Sequence, residues 1–297
     1  MRGSRDRAIT RRHNDGGHPH ERGAKDVTDG DAVTTGARLD TSVAHNARVW
    51  NYWIGGRDNY EVDQRVGEHV AGMFPVIREV ARADREFLAR AVRFLAAGQG
   101  IRQFLDVGTG LPTVENTHEI AQRLAPESRV VYVDNDPIVL VHARSLLTSS
   151  PEGVTDYVDA DVHDPDTILR RAADTLDLER PVALMMLGIL NFVLDTGEAL
   201  DIVRRLMAAL PSGSHLVLTH PTTDAEVGGA GNVAAMEFWN AHATPPITAR
   251  SRAEIASFLD DVDGLDLVEP GLVPCSQWRA EPGAAPVPQF GAVAVKR

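Results

Sequence analysis

The chain of 297 residues has one cysteine, Cys275, and two lysines, Lys25 and Lys296. One cysteine excludes a disulfide framework, a cysteine-rich zinc site and an iron–sulfur cluster. A buried Schiff-base lysine is not expected, because one lysine lies in a polar N-terminal stretch and the other is the penultimate residue. The sequence lacks the GxxxxGK(S/T) motif of P-loop enzymes. Its longest apolar run, residues 182–194, is too short to cross a bilayer.

Positive charge is also scarce, since 30 Lys and Arg face 42 Asp and Glu, for a net charge of −12. A protein that binds nucleic acid through its phosphates needs the opposite balance, so bulk DNA or RNA binding is not expected. No segment predicts a membrane span or a signal peptide, and the predicted location is therefore the cytoplasm. No group of His, Asp and Glu has metal-ligand spacing, so no metal site is predicted.

The chain divides into a tail, a helical segment and a core. Residues 1–37 are rich in Arg, His and Gly and poor in large apolar residues, which is typical of a disordered tail. Residues 38–297 predict a single domain. Within it, residues 38–98 have apolar residues at helical spacing and predict a helical cap, and residues 99–297 predict the core.

After residue 98, short apolar runs alternate with helical patterns. Such runs are typical of strands covered on both faces, as in a parallel sheet. The last two runs have no helix between them and predict an antiparallel hairpin. The fold class is α/β: a Rossmann-like, seven-stranded, mostly parallel sheet with an antiparallel terminal hairpin, helices on both faces and a helical N-terminal cap. The predicted strands are residues 103–107, 129–133, 154–158, 182–187, 215–219, 265–273 and 290–295. The predicted core helices are residues 113–124, 137–147, 166–176, 197–210 and 252–259.

The first predicted core strand runs into the motif Phe-Leu-Asp-Val-Gly-Thr-Gly-Leu-Pro-Thr at residues 104–113. Its glycines permit unusual backbone angles and close approach of a ligand, and the following helix start offers free N–H groups. A dinucleotide fingerprint would have a third glycine where Thr113 stands. The acid-x-Gly-x-Gly pattern instead favours an S-adenosylmethionine loop, with a plain tight turn as the alternative. The candidate cofactor residues here are Asp106, Gly108, Thr109 and Gly110.

Acidic residues also follow the next two predicted strands. Asp134 ends the second strand, where a carboxylate can accept hydrogen bonds from ribose hydroxyls. Asp161 follows the third strand, where a carboxylate can accept from an adenine amine while the next backbone N–H donates to the ring. A turn or helix cap is the alternative, and it is our interpretation of Asp136 before a proline. This adds Asp134, Asn135, Asp161 and Val162 to the cofactor candidates.

Three such strand ends in series resemble the cofactor site of class I S-adenosylmethionine-dependent methyltransferases. A closer resemblance lies in the segment HNARVWNYWIGGRDNY at residues 45–60, together with residues 104–113, 116–119, 130–137 and 268–274. These segments are similar to an actinobacterial S-adenosyl methyltransferase family formerly catalogued as a domain of unknown function. The resemblance implies the fold and the cofactor S-adenosyl-L-methionine, and it implies no acceptor.

The segment at residues 45–60 is rich in aromatic and polar residues. Aromatic faces attract cations such as a sulfonium, and an arginine can bind the cofactor carboxylate or an acidic substrate. We expect Tyr52 and Arg57 to contact the cofactor and Trp50 and Trp53 to line the acceptor site. The alternative is a helix that packs its aromatic residues on the sheet while its polar groups stabilise the Gly55-Gly56 turn.

Candidates for the transfer step lie after the fourth and fifth predicted strands. Asn191 and His220 are the candidate catalytic residues, Asn191 is also a candidate substrate contact, and a buried structural histidine is the alternative for His220. Methyl transfer needs positioning and desolvation more than a dedicated base. The long segment at residues 222–250 suggests a lid, in which Phe238 and Trp239 are candidate acceptor contacts.

We therefore predict an S-adenosylmethionine-dependent methyltransferase with a small-molecule acceptor. An NAD(P)-dependent oxidoreductase is the alternative within the same fold, and Thr113 argues against it. A third possibility is a regulatory module that binds the cofactor without transferring its methyl group.

Overall fold

The computed structural model describes residues 41–113, 115–139 and 148–297. The predicted tail lies outside these ranges, as does most of the predicted helix at 137–147. The strands are β1 (Ala44–His45), β2 (Gln103–Val107), β3 (Arg129–Asp134), β4 (Val154–Asp159), β5 (Ala183–Leu187), β6 (His215–Pro221), β7 (Ala243–Thr244), β8 (Leu265–Leu267), β9 (Val273–Pro274) and β10 (Gln289–Lys296). The α-helices are α1 (Asn46–Trp53), α2 (Glu61–Met73), α3 (Ile77–Arg93), α4 (Thr117–Leu124), α5 (Pro165–Ala172), α6 (Thr196–Ala208), α7 (Asn232–His242) and α8 (Arg252–Asp260).

One main sheet forms the core. Within the described residues its strand order is β4-β3-β2-β5-β6-β10-β8, with β9 paired to β10. The strands from β4 to β6 are parallel to their neighbours, and β10 is antiparallel to β6, β8 and β9. Because parallel strands end at the same edge, the loops after β2 to β6 lie together there, which is where open α/β sheets bind ligands.

Helices cover both faces of this sheet. Neighbouring residues of β2, which point to opposite faces, pack against different sets of helices. Every residue of β2 is buried. Phe104 belongs to the apolar cluster formed with α1, α2, α3 and α7, whereas Leu105 belongs to the cluster formed with α5, α6 and α8. Apart from Gln103 and Asp106, the residues of β2 are apolar, as is typical of a strand that is covered on both faces.

The N-terminal helices are fixed to the rest of the domain by pairing and by a buried ion pair. β1 pairs in parallel with β7, which follows α7. Arg48 of α1 donates from Nε to Asp63 Oδ2 of α2 at 2.8 Å, and both side chains are almost fully buried. A buried arginine and carboxylate that lost either partner would leave an uncompensated charge, so this pair fixes α1 against α2.

The predicted fold class agrees with the structure, and some boundaries differ. β10 inserts between β6 and β8, so the predicted antiparallel hairpin lies at the edge of the sheet with β8 outermost. The predicted strand at 265–273 divides into β8 and β9, since a turn at Glu269–Pro270 interrupts it and proline has no N–H for a ladder. α4 begins at Thr117 rather than Thr113, because Glu119 accepts from the N–H of Asn116 at 2.9 Å and caps the helix there.

No helix in the described ranges is long and apolar enough to cross a membrane.

Candidate active site at the carboxyl edge of the sheet

The loop after β2 is shaped by its two glycines. Gly108 has φ +80° and Gly110 has φ +66°, in the left-handed region that glycine adopts without strain. The N–H of Gly108 donates to Val133 O at 2.8 Å, and a Cβ on Gly108 would lie 2.5 Å from Ile189 Cδ1. The N–H of Gly110 donates to Asp134 Oδ2 at 2.8 Å. The loop is therefore tied to β3 and passes directly beside the loop after β5.

Two cavities meet at this loop. The carboxylate cavity, of about 780 Å³ including its open mouth, has Asp134 and Asp161 in its wall. The tryptophan cavity, of about 1330 Å³ including its mouth, has Trp50, Trp53 and Trp239 in its wall. The two share Asn46, Ala47, Gly108, Gly110, Gly188 and Phe192. The two cavities therefore adjoin each other at the glycine loop.

Asp134 is held in place by backbone donors. Its Oδ2 accepts from Gly110 N at 2.8 Å and its Oδ1 from Asp136 N at 3.0 Å. Burial raises the pKa of Asp134, and these backbone hydrogen bonds oppose that rise. Each carboxylate oxygen has a further lone pair, so Asp134 can accept two more hydrogen bonds from a ligand in the carboxylate cavity.

The second carboxylate of this cavity is also positioned by its neighbours. Asn135 Nδ2 donates to Asp161 Oδ2 at 2.8 Å, and His163 N donates to Asp161 Oδ1 at 2.9 Å. Burial works to raise the pKa of Asp161, but the hydrogen bonds from His163 and Asn135 outweigh it and hold the pKa below its ordinary value. Val162 follows it and lines the same cavity. Asp161 thus presents an ionised acceptor beside a backbone amide.

Asp136 has the structural role expected of it. Its Oδ1 accepts from Ile138 N at 2.8 Å, at the start of the helix that begins at Pro137. His45 Nδ1 lies 2.9 Å from its Oδ2, in ion-pair range but outside hydrogen-bond alignment. Asp136 therefore connects β1 to the loop after β3.

The tryptophan cavity is apolar with a few polar groups in its wall. Its apolar part comes from the cap helices and α7, and includes Trp50, Trp53, Phe74, Ile77 and Trp239. Trp53 lies edge-on to Trp50, with ring centroids 6.0 Å apart, and 6.5 Å from Trp239. The polar groups include Asp84, Arg85, Asp106, Asn191 and Gln289. Such a mixture of a flat apolar wall and convergent polar groups is typical of small-molecule sites.

Asp106 lies at the end of β2, almost fully buried. Thr117 Oγ1 donates to its Oδ2 at 2.7 Å. Burial raises the pKa of Asp106 from its ordinary 3.8 to about 6, against the hydrogen bond from Thr117. A carboxylate that is costly to ionise attracts a cationic ligand, because the cation would offset the lost hydration.

We expect Asp106→Asn to stabilise the ligand-free protein at neutral pH. Because the pKa of Asp106 is raised on folding, its protonated form favours the folded state below pH 4, and that contribution is lost as the pH rises to about 6. The raised pKa corresponds to at most about 3 kcal/mol. Urea unfolding of the two proteins at pH 4 and pH 7 measures this. The variant should gain stability relative to wild type between the two pH values, and an unchanged difference would contradict the burial argument.

Asn191 lies in the short helical turn after β5, residues Leu190–Phe192. Its side chain is 7% exposed and lines the tryptophan cavity, and its Oδ1 has no hydrogen-bond partner. A buried amide oxygen without a partner costs free energy. The geometry therefore fits a ligand that would donate to it, in agreement with its place among the candidate residues.

The structure does not bring His220 to either cavity. His220 is fully buried, its Nδ1 lies 2.7 Å from Pro221 O, and its Nε2 lies 2.7 Å from Arg250 Nη1. Since Arg250 only donates, Nδ1 carries the proton and Nε2 accepts. Burial lowers the pKa of His220 to about 3. It is a neutral structural histidine, which was the alternative interpretation.

Arg250 was not singled out from the sequence. It is 2% exposed and donates to Leu190 O at 3.0 Å and to Val193 O at 2.7 Å. It thereby holds both ends of the turn that carries Asn191. Arg250 is one of 28 arginines, and only the folded packing distinguishes it.

Three further candidates point away from the two cavities. The hydroxyl of Tyr52 donates to Glu68, and its ring lies under Arg78 in a separate surface groove. Arg57 is exposed in the turn after α1 and is not among the described residues that line the two cavities. Phe238 stacks between His69 and His242, with ring centroids 4.0 Å and 4.2 Å away. Tyr52 and Phe238 each contact side chains on other elements, which the local sequence does not reveal.

The remaining candidates line the cavities. Trp50, Trp53, Trp239 and Asn191 line the tryptophan cavity, and Asp106 and Thr109 lie in the wall next to Gly108. Asp134, Asn135, Asp161 and Val162 line the carboxylate cavity. Polar groups of residues 45–60 also stabilise the Gly55-Gly56 turn, as the alternative had it, because Asn51 Oδ1 accepts from Asp58 N at 3.0 Å.

The parallel sheet with a terminal antiparallel strand, the glycine loop and the acidic residues at the ends of the first core strands are the features expected of a class I S-adenosylmethionine-dependent methyltransferase. The model of the S-adenosyl methyltransferase family matches residues 32–297, and the chain belongs to this family. The protein is accordingly an enzyme that uses S-adenosylmethionine. This favours the predicted methyltransferase over the alternative, an NAD(P)-dependent oxidoreductase.

Two solved structures are similar over nearly the whole chain. A DUF574 family protein from Streptomyces avermitilis is 46% identical, with a TM-score of 0.82, and the match covers 88% of this chain and 100% of that one. A protein from Thermobifida fusca assigned by inference to the methyltransferases is 35% identical, with a TM-score of 0.79 and coverage of 90% and 100%. No curated protein matches the chain.

Proposed function

We propose that the protein transfers the methyl group of S-adenosylmethionine to a small molecule held in the tryptophan cavity. The observation that carries this proposal is the pair of adjoining cavities that share Gly108 and Gly110 in their walls, one with carboxylates and the other with tryptophans. When bound, S-adenosylmethionine supplies an electrophilic methyl group on a positively charged sulfur. All further roles are those of the chain's own residues.

The carboxylate cavity fits the adenosyl half of the cofactor. Asp134 accepts from the ribose hydroxyls with the lone pairs that Gly110 and Asp136 leave open. Asp161 accepts from the adenine amine, and the N–H of Val162 donates to the ring. Gly108 has no Cβ, so Ile189 packs directly against the glycine loop, where it forms part of the wall of the carboxylate cavity.

The methionine half then enters the tryptophan cavity, where side chains of opposite charge face its ammonium and carboxylate groups. Asp106, buried at the end of β2, accepts from the ammonium group. Arg85 of α3 takes the role that Arg57 had in the sequence analysis. It lines this cavity, and its Nη2 donates to Glu115 O at 3.1 Å, and an arginine has five N–H donors with which to bind a carboxylate as well.

The site accelerates methyl transfer by excluding water and by aligning the acceptor with the methyl group of the cofactor. The cap helices and α7 form the apolar wall, and their tryptophan faces stabilise positive charge near them. Asn191, whose turn Arg250 holds, orients the acceptor from the other side through its unpartnered oxygen. Positioning two reactants in a dry site accelerates a displacement without a metal or covalent intermediate.

A small acceptor is favoured by the enclosing wall and by the net charge of −12. The test is incubation of the protein with S-adenosylmethionine labelled in the methyl group and with a bacterial lysate divided by ultrafiltration. We expect label in the small-molecule fraction, lost with the variant Asp134→Asn. Label in protein or nucleic acid alone would contradict the small-molecule acceptor.

The two arginines give a second test of the cofactor's position. We expect Arg85→Met to weaken binding of S-adenosylhomocysteine about tenfold or more, the size of a lost charged hydrogen-bond pair. Arg57→Met is the matched control, since Arg57 is exposed after α1, and should leave affinity within twofold. Calorimetric titration measures both. A larger loss of affinity in Arg57→Met than in Arg85→Met would instead assign the cofactor carboxylate to Arg57, as the sequence alone suggested.

A further inference from the structure

Asp84 and Gln289 form a buried polar pair in the wall of the tryptophan cavity. Asp84 is 6% exposed and Gln289 is 3% exposed, and both line the cavity. Gln289 Nε2 donates to Asp84 Oδ1 and lies 3.3 Å from Thr219 Oγ1. The cofactor roles proposed above use neither residue.

The carboxylate of Asp84 has acceptor capacity to spare. Among the described residues no Lys, Arg or His lies within ion-pair distance of it. Burial, the largest influence, raises the pKa of Asp84, and the hydrogen bonds from Thr219 and Gln289 and the attraction of Arg85 oppose that rise. A buried carboxylate held by neutral donors, the Thr219 hydroxyl and the Gln289 amide, is costly to ionise unless a ligand supplies further donors.

The position of this pair separates it from the cofactor groups. Gln289 pairs with Pro221, so it lies at the end of β6, and Asp84 contacts it from α3. The carboxylates proposed to bind the cofactor lie at β2, β3 and β4, on the other side of β5, whereas Arg85 approaches from α3, next to Asp84. Asn191, with its unpartnered oxygen, follows β5. The polar groups on the β5–β6 side therefore face the part of the cavity left for the acceptor.

The apolar wall limits what that acceptor can be. Trp50, Trp53, Trp239 and Phe74 line the same cavity, and rings pack best against other rings in offset or edge-to-face contacts. A flat aromatic body with a hydrogen-bond donor satisfies both the wall and the carboxylate.

We propose that the acceptor is a small phenol whose hydroxyl is bound by Asp84, with Gln289 orienting the carboxylate and Asp84 acting as general base. This inference rests on the proposed function. As the phenol oxygen forms its bond to the methyl group, the bond from methyl to sulfur breaks and sulfur keeps that electron pair. The phenol proton passes to Asp84. The raised pKa makes the carboxylate a stronger base for this step.

The experiment uses the full chain saturated with S-adenosylhomocysteine and three matched ligands: 2-naphthol, naphthalene and 2-methoxynaphthalene. Calorimetry gives the affinity of each for wild type, for Asp84→Asn, and for the control Asp58→Asn, whose residue is exposed after α1. Asp84→Asn is isosteric and can still accept from Gln289. Its affinity for S-adenosylhomocysteine reports whether the site remains folded.

We expect wild type to bind 2-naphthol about tenfold more tightly than either matched ligand, as one hydrogen bond to a charged group provides. Asp84→Asn should lose this preference, keep its affinity for S-adenosylhomocysteine within twofold, and form 2-methoxynaphthalene from S-adenosylmethionine at least about 100-fold more slowly. Asp58→Asn should behave as wild type.

Two results would overturn the inference while leaving the proposed function in place. One is binding of S-adenosylhomocysteine with no preference for 2-naphthol over naphthalene in wild type. The other is weakened S-adenosylhomocysteine binding in Asp84→Asn with the 2-naphthol preference intact, which would assign Asp84 to the cofactor. Failure of wild type to bind S-adenosylhomocysteine would instead overturn the proposed function, and this inference with it.

Discussion

Asp134→Ala is expected to weaken binding of S-adenosylhomocysteine by at least about 100-fold, since it removes two hydrogen bonds from ribose to a charged acceptor. The same carboxylate accepts from Gly110 N at 2.8 Å and so holds the glycine loop in its binding shape. The variant therefore loses both a contact and its preorganisation. Calorimetric titration of the purified proteins measures the change directly.

Asp159→Ala is the matched control for this prediction. Asp159 lies beside Asp134 in the sheet, in register across β3 and β4, but its side chain is exposed. Its removal changes the charge by the same amount and should leave affinity within about twofold, because exposed charges interact weakly with a site. Equal losses in the two variants would show that overall charge rather than ribose contact governs binding.

Gly108→Ala is expected to have the second large effect, on both stability and binding. The new Cβ would lie 2.5 Å from Ile189 Cδ1 and 2.7 Å from Ile189 Cβ, and φ at this residue is +80°. Strained backbone and overpacking together cost about 3 kcal/mol. We expect a fall of roughly 6 °C in Tm, and weaker cofactor binding because Ile189, which lines the carboxylate cavity, must move away from the new Cβ.

Gly110→Ala separates the two causes. Gly110 also has a positive φ, of +66°, but nothing lies within 4 Å of the position of its Cβ. This variant should lose only the backbone contribution of about 1 kcal/mol. Thermal unfolding of both variants without ligand tests the comparison. If Gly110→Ala were the more destabilised of the two, the contact with Ile189 would not explain the requirement for glycine at 108.

The sequence was sufficient for features determined by local pattern. The central residues of β2 and β3 are apolar because both faces of these strands are covered, and a parallel sheet gathers the residues that follow such strands. Asp134 and Asp161 could therefore be brought together without coordinates. Their contacts with ribose and adenine stay predictions.

Side-chain direction in the cap could not be predicted in this way. Tyr52 and Trp53 are adjacent in α1, yet one faces Glu68 and Arg78 in a surface groove and the other lines the tryptophan cavity. His220 lies near the end of an apolar strand, where an active-site residue is expected. However, Arg250, thirty positions later, donates a hydrogen bond to its Nε2. Each outcome depends on a contact between distant segments, which a single sequence does not encode locally.

The buried groups on α3 left a signal that was available. Asp84 lies in the same helical stripe as Val80, Phe87, Leu88 and Ala91, all of them buried. A charged residue inside an apolar stripe is rarely buried without a function or a partner. The apolar spacing of α3 was enough to predict the helix, so Asp84 and the neighbouring Arg85 were not singled out as candidates.

The most direct test of the account is a crystal structure of the protein with S-adenosylhomocysteine. The account predicts ribose hydroxyls within hydrogen-bond distance of Asp134 and adenine beside Asp161 and Val162. It predicts the amino-acid carboxylate at Arg85 and the sulfur facing the tryptophan cavity. Adenine seated among Trp50, Trp53 and Trp239, with no ribose contact at Asp134, would contradict the division of the site into a cofactor cavity and an acceptor cavity.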